Sequence, residues 1–341
     1  MSSRGCLTAM AAQNTFKNQY VMGESQMPTM PACRSRLFSR RQALLIGGGA
    51  AALAVAGVPW PAAAIGRIEA GDAEITIVSD GHLVLPAPFV LPDVPEADRS
   101  AILSGNGMST ETLNPDCNIS FVRSGDRLAI FDVGSGPNFM PSAGKLLENL
   151  TEAEIDPADV TDVIFTHAHP DHFWGLTDEF DELIFSNATY RMAEAEWNFW
   201  RADDTLEKMP EDRKSFVVGA QGRMPLIEEK IELFTPGTEV FPQVEVVDTP
   251  GHTPGHVSFM VHGGSDPVLI VGDVLANPVS FARPDWHWGT DHDPEIGSAT
   301  RRKLLDRIAT EKVRLIGFHL PHPGAGTAEA HDGAYRFVPA G

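Results

Sequence analysis

Short apolar runs recur along the chain, most of them closed by Gly, Pro or Asp, and this punctuation sets the element pattern. It predicts β-strands at Glu74–Ser79, Ile119–Arg123, Leu128–Asp132, Asp162–Phe165, Val244–Asp248, Val257–Val261, Val268–Val271 and Val313–Phe318. Helical spacing predicts helices over Pro141–Leu150, Tyr190–Arg201 and Glu295–Glu311. Strands followed by helices imply sheets covered by helices, an α/β (α+β) architecture. Residues 202–226 are polar and irregular and read as an excursion near a site. With 341 residues, 43% of them hydrophobic, and no internal repeat, the chain can bury a sizeable core as one globular protein.

The N-terminus breaks this pattern. A basic segment ending in Arg40-Arg41 precedes the mildly hydrophobic, Ala/Gly-rich run Gln42–Ala64, which closes on Ala62-Ala63-Ala64. Tandem arginines, such a centre and a small-residue site resemble a twin-arginine export signal over residues 1–64, cleaved near Ala64. An uncleaved membrane anchor is the competing reading, since the run is long enough to span. Cleavage would leave a single domain over residues 65–341 in the periplasm, without stable membrane association.

Cleavage also changes the charge. Residues 1–64 hold six Lys and Arg against Glu24, so the formal charge moves from -20 to -25. An acidic chain without a basic run disfavours nucleic acid as a partner. Cys6 and Cys33 leave with the signal, and Cys117 stays alone, which excludes an intrachain disulfide.

The chemistry concentrates in FTHAHPDHFWGL, residues 165–176, directly after a predicted strand. His167, His169, Asp171 and His172 are ligand types suited to borderline divalent metals. His167 and His169, two apart in extended chain, can converge on one ion, while the adjacent Asp171 and His172 diverge towards a second. A loop-ordering cluster is the bland alternative. Further ligand types follow other predicted strands: His252 in DTPGHTPGH, Asp273 in VGDVL and His319 in GFHLPHPG. Ligands at successive strand ends of one sheet can meet at a common edge.

HAHPDH, GHTPGH, the Gly-Asp pair and the late His together resemble the metallo-β-lactamase superfamily, over nearly the whole mature chain. That resemblance implies an αββα sandwich. It also implies two metal ions, zinc or similar: one on His167, His169 and His252, one on Asp171, His172 and His319, with Asp273 bridging. A metal-bridging hydroxide would be the nucleophile, with Asp273 and Asp171 the catalytic carboxylates. THAHPDHFWGL, EAEWNFW and the C-terminal FHLPHPGAGTAEAHDGAYRFVPA resemble more narrowly the methyl parathion hydrolase group. His322 departs from that group, which tends to carry an aromatic residue there.

The implied activity is hydrolysis of an aryl ester or organophosphate triester, a small, neutral, partly aromatic substrate. A lactone hydrolase is the alternative, weakened because no tyrosine follows Asp273. From other classes come a nonhaem iron oxygen-handling protein on the same fold, opposed because histidines hold both leading positions of the first motif where such members usually place a carboxylate, and a metal-dead binding protein, opposed by retention of all seven ligand types. Oligomerisation is open.

Three weaker signals remain. Asp132 in IFDVGSG either supports a ligand or caps its own turn. His256 is expected to order the TPGH turn. The five tryptophans Trp174, Trp197, Trp200, Trp286 and Trp288 suit an aromatic pocket or, as with the Trp197/Trp200 pair at helical spacing, ordinary core.

Replacing Arg40 and Arg41 with lysine is expected to strand the precursor in the cytoplasm. Cell fractionation checks this, and unchanged periplasmic delivery would overturn the export reading.

Overall fold

The computed structural model describes residues 65–340. The proposed export signal, with Arg40, Arg41 and Ala62–Ala64, lies outside the described residues, as does Gly341. No described helix is long and apolar enough to cross a membrane.

The predicted strands pair into two seven-stranded sheets, each ordered as the chain runs. The first contains β1 (Ile65–Ala70), β2 (Ala73–His82), β3 (Asp116–Ser124), β4 (Arg127–Phe131), β5 (Asp162–Ile164), β6 (Thr189–Ala193) and β7 (Ile231–Phe234). The second contains β8 (Glu239–Phe241), β9 (Val244–Asp248), β10 (Val257–Val261), β11 (Val268–Ile270), β12 (Arg314–Ile316), β13 (Ala325–His331) and β14 (Ala334–Pro339). Hairpins make β1 to β4 antiparallel, while the crossovers from β4 to β7 and from β11 to β12 give parallel pairs.

Alternation along the strands sorts side chains between two faces. In β3, Cys117, Ile119 and Phe121 face the helices, and Val122 faces the other sheet. Between the sheets Ile75, Ile77, Phe131, Ile164, Val246, Phe259 and Ile270 form a buried layer, with the Phe131 and Phe259 rings 5.0 Å apart. Burying each such side chain contributes roughly 1.5–3 kcal/mol. Leu150 of α1 (Leu146–Glu152), Trp197 and Trp200 of α2 (Glu194–Arg201) and Val217 and Met224 of α3 (Lys214–Ile227) cover the outer face of the first sheet. Leu304, Leu305 and Ile308 of α4 (Pro294–Glu311) cover the second. The result is the expected αββα sandwich.

Several elements differ from the sequence pattern. Tyr190–Arg201 is a strand running into a helix, because Tyr190 and Met192 are buried with a period of two between β5 and β7. Residues 202–226 contain much of α3, whose Val217, Ala220, Met224 and Ile227 recur every three or four positions, masked in the sequence by Gly219, Gly222 and Pro225. The edge strand β1 and the β13–β14 hairpin carry many exposed residues, so their apolar signal is thin.

The helix expected from Pro141 begins only at Leu146 because a distant carboxylate fixes its start. Buried Asp80 accepts hydrogen bonds from Ser135 N (2.9 Å), Ser135 Oγ (2.9 Å), Gly144 N (3.2 Å) and Leu146 N (2.8 Å). Asp80→Ala leaves these donors unpaired, and the expected loss is about 2–4 kcal/mol of unfolding free energy in a urea titration.

Candidate metal centre and substrate cleft

The HAHPDH segment is shaped by its neighbours. Thr166 donates its backbone N–H and hydroxyl to the two oxygens of Asp132, both at 2.8 Å. Asp132 itself sits in the left-handed region at φ 64, a conformation that Asp tolerates better than most residues. His169 stays extended at φ -66 and ψ 160, and Pro170 then opens the single turn Pro170–Phe173. Proline suits a first helical position because its φ is preset and its missing N–H is not needed there. Asp171 and His172 follow one another on that turn, about 100° apart, and so reach different places.

The other three candidates arrive from the second sheet. His252 lies in the loop after β9, Asp273 in the 3₁₀ turn Gly272–Leu275 after β11, and His319 after β12. Gly272 has φ 58, and a Cβ there would stand 2.6 Å from His256 Nε2. That ring is the reason for the glycine: His256 Nε2 accepts the Asp273 backbone N–H at 3.0 Å, and its Nδ1 donates to Thr249 O at 3.0 Å. His256 therefore orders the turn and positions Asp273.

The structure brings all seven sequence-predicted residues together. His169 Nδ1 stands 3.0 Å from His167 Nε2 and 2.9 Å from His252 Nε2, and His252 Nε2 is 3.2 Å from Asp273 Oδ2. On the other side, Asp171 Oδ2 lies 3.1 Å from His319 Nε2 and 3.4 Å from His172 Nε2. Asp273 reaches both groups, with Oδ1 3.1 Å from His172 Nε2 and Oδ2 3.3 Å from His319 Nε2.

The second nitrogen of most rings explains why these atoms are free to bind. His172 Nδ1 donates to Asp132 Oδ2 (2.8 Å), His252 Nδ1 to Asp291 Oδ1 (3.1 Å), His319 Nδ1 to Asp116 O (2.8 Å) and His167 Nδ1 to Thr166 Oγ1 (3.0 Å). Each partner is an acceptor, which turns Nε2 inward, where it offers a lone pair once the ring is neutral. Burial, followed by the neighbouring imidazoles, holds His167 and His169 well below their ordinary pKa. Burial would also lower His172, His252 and His319. The carboxylates led by Asp273 outweigh it, raising His252 to about 9 and the other two well above the usual range. Buried Asp171 Oδ2, His172 Nε2 and Asp273 Oδ1 have no hydrogen-bond partner. Converging lone pairs and orphaned carboxylate oxygens fit divalent cations, in two donor groups that share Asp273.

Four supporting residues escaped the sequence reading. Asp291 links His252 to buried Arg301, whose Nη2 donates to Asp291 Oδ2 at 3.1 Å. Glu196 accepts from Ala168 N (2.9 Å), Trp200 Nε1 (2.6 Å), Thr253 Oγ1 (2.7 Å) and Gly255 N (3.1 Å), tying the His167 loop to the His252 loop. Cys117 is buried beside Asp171 and His319, and burial pushes its thiol up to about 12. Asp116 holds His319 through its carbonyl and the His322 backbone N–H through Oδ2 (2.9 Å). None belongs to a ligand motif; Glu196, the third residue of α2 and wholly buried, lies in EAEWNFW, where its role shows only through its burial. His322 adds a bond between Nδ1 and Asn118 Oδ1 (2.6 Å) that anchors the His319 loop.

A cleft opens over the metal-facing groups, with His169, Asp171, His252, Asp273 and His319 at its floor. Its walls include Leu85, Phe89, Phe139 and Phe216. The aromatic pocket expected from tryptophans is thus built of phenyl rings, and no tryptophan lines it. Trp197 and Trp200 fill the helix-side core, Trp286 and Trp288 a satellite cluster, and Trp174 packs edge-on against Phe139 at 5.5 Å. The indoles occupy wide gaps between elements, where Trp200 satisfies its N–H on Glu196.

This fold and these donors are those of a metal-binding αββα class. Residues 114–319 match the family model described as "Metallo-beta-lactamase superfamily", and the chain belongs to that superfamily. The dizinc quorum-quenching lactonase AidC, solved with the product N-hexanoyl-L-homoserine, superposes with a TM-score of 0.77 at 27% identity, covering 81% of this chain and 97% of that one. The hydrolase AbOPH of the beta lactamase superfamily gives 0.76 at 26% identity over 82% and 98%. A metallo-beta-lactamase domain-containing protein 1 of Xenopus laevis is 31% identical over 135 residues, 39% of this chain and 46% of that protein. The chain spans about half the length of the first curated relatives it matches.

Asp291→Ala is expected to weaken metal binding about 10–100-fold, the usual cost of losing the partner of a ligating histidine. Chelator competition on the purified protein measures it, and Asp132→Ala should do the same through His172.

Proposed function

We propose that this chain is a dinuclear hydrolase of ester-type bonds in small molecules. His167, His169 and His252 would hold one ion, Asp171, His172 and His319 the other, and Asp273 would stand between them. Zinc matches the donor set best, being at home with imidazole and carboxylate together. With both ions bound, the centre supplies Lewis acidity and a water deprotonated near neutral pH. The observation carrying this reading is the pair of donor groups sharing Asp273 at the floor of a phenyl-walled cleft.

The chain's own residues divide the remaining work. Asp273 and Asp171 present carboxylates to the reacting edge, with their carboxyls held far below the usual range because the surrounding histidines outweigh burial. His256 and Glu196 hold the loops from which the centre is built. Leu85, Phe89, Phe139 and Phe216 take an apolar or aryl part of the substrate and keep bulk water from the scissile group.

An aryl ester or organophosphate triester, neutral at the scissile centre, suits those walls and the resemblance to the methyl parathion hydrolase group. A lactone is the second reading, favoured by the similarity to AidC and weakened by Val274-Leu275-Ala276-Asn277 after Asp273, which contains no tyrosine. The oxygen-handling and metal-dead readings are poorer matches for an intact His/Asp set. Delivery to the periplasm by the twin-arginine route is part of the same proposal.

The protein is expected to hold about two equivalents of zinc by elemental analysis, and Asp273→Ala to lose activity together with metal. Active protein with one equivalent or none would sink the dinuclear reading. A panel of aryl phosphotriester, aryl ester, acyl-homoserine lactone and β-lactam then ranks substrates by kcat/KM. A lactone far ahead of both aryl compounds would replace the aryl assignment with the lactonase one.

A further inference from the structure

Three residues of the cleft lining, Arg213, Asn277 and Thr290, stand apart chemically from its apolar walls. Arg213 closes the 3₁₀ turn Glu211–Arg213 ahead of α3. Its hydrogen bonds go to backbone carbonyls: Nη1 to Asp291 O at 3.4 Å and Nη2 to Gly289 O, on either side of Thr290. Among the described residues no carboxylate forms an ion pair with it, although the chain is strongly acidic. Asp212 and Asp291 act on it only beyond ion-pair distance, and its buried Nε has no hydrogen-bond partner, so an anion approaching this guanidinium would be stabilised.

Asn277 is the second, independent observation. It is 4% exposed, and its Oδ1 is taken by the Val279 backbone N–H at 2.9 Å. Among the described residues its Nδ2 amide makes no hydrogen bond, and Asn277 belongs to the cleft lining. The wall thus offers a guanidinium, an amide NH₂ and the Thr290 hydroxyl, and the two nitrogen groups can only donate. A set of donors with one fixed positive charge selects an acceptor, best an oxyanion.

We infer that Arg213, Asn277 and Thr290 form a carboxylate-binding subsite, so that the preferred substrate is an ester or lactone carrying a carboxylate away from the scissile bond. The turnover arm of the test rests on the hydrolase reading; the binding arm does not.

The test compares two aryl esters of equal chain length, mono(4-nitrophenyl) glutarate and 4-nitrophenyl pentanoate, which differ only in the distal carboxylate. The metal-loaded protein is expected to favour the glutarate about tenfold or more in kcat/KM, the value of a charge-assisted hydrogen bond. Arg213→Gln should bring that ratio close to unity, and Arg213→Lys should keep part of it. Asn277→Asp retains the acceptor for Val279 N–H and replaces the NH₂ donor with a carboxylate, so the ratio should invert. Metal content and near-ultraviolet circular dichroism establish that each variant is folded and loaded. A wild-type preference for the pentanoate, or an unchanged ratio in Arg213→Gln and Asn277→Asp, would overturn the subsite. If neither ester turns over, the hydrolase reading fails on its own, and calorimetric titration with pentanoate and the neutral pentanamide decides. Tighter pentanoate binding that disappears in Arg213→Gln sustains the subsite, and equal binding, or a preference unchanged in Arg213→Gln, refutes it.

Discussion

Three imidazoles, His167, His169 and His252, converge in a buried place, with His169 Nδ1 within hydrogen-bond distance of the other two. Crowding these nitrogens beside the Asp171 and Asp273 carboxylates is the constraint on which the rest of the molecule depends. A cation among the nitrogens would satisfy it, and four of the five ligand-type rings are held from behind. Asp291, Asp132, Thr166 and the Asp116 carbonyl supply that hold for four of the ligand-type histidines. Asp116, Asp132 and Thr166 stand at strand ends of the first sheet, and Asp291 just ahead of α4, which covers the second, so the sandwich must close before the rings can converge. Glu196 ties the closure together, since its two oxygens bind the His167 loop and the His252 loop at once.

Much of this was legible in the sequence because ligand chemistry is local. The HAHPDH segment states its donors within six residues, and the strand-end positions of His252, Asp273 and His319 follow from apolar runs that the structure confirms as β9, β11 and β12. The fold class was legible for the same reason. Tertiary substitutions for local signals were not. Asp80 starts a helix from a distant strand, and β6 looks helical until its neighbours on both sides are known. The helix Lys214–Ile227 hides behind two glycines and a proline, yet it brings Phe216 to the cleft.

The tryptophans show a related limit. Their concentration between the ligand motifs pointed to the pocket, and they lie in that part of the chain without lining it. A large indole is drawn to whichever wide gap the packing leaves, whereas the cleft is walled by phenyl rings from segments far apart in sequence. Proximity in the chain predicted proximity in space for histidines, which must meet, and failed for aromatics, which need only be covered.

The cleft wall has a separate origin from its floor. Leu83, Leu85, Phe89, Val90, Leu113 and Pro115 all come from the excursion between β2 and β3, which supplies none of the seven ligand-type residues. Much of the apolar wall and all seven ligand-type residues are therefore set by different stretches of chain. An insertion or a drift in that excursion can retune what the protein accepts while the metal-facing loops stay as they are, so close relatives with the same seven residues need not share a substrate.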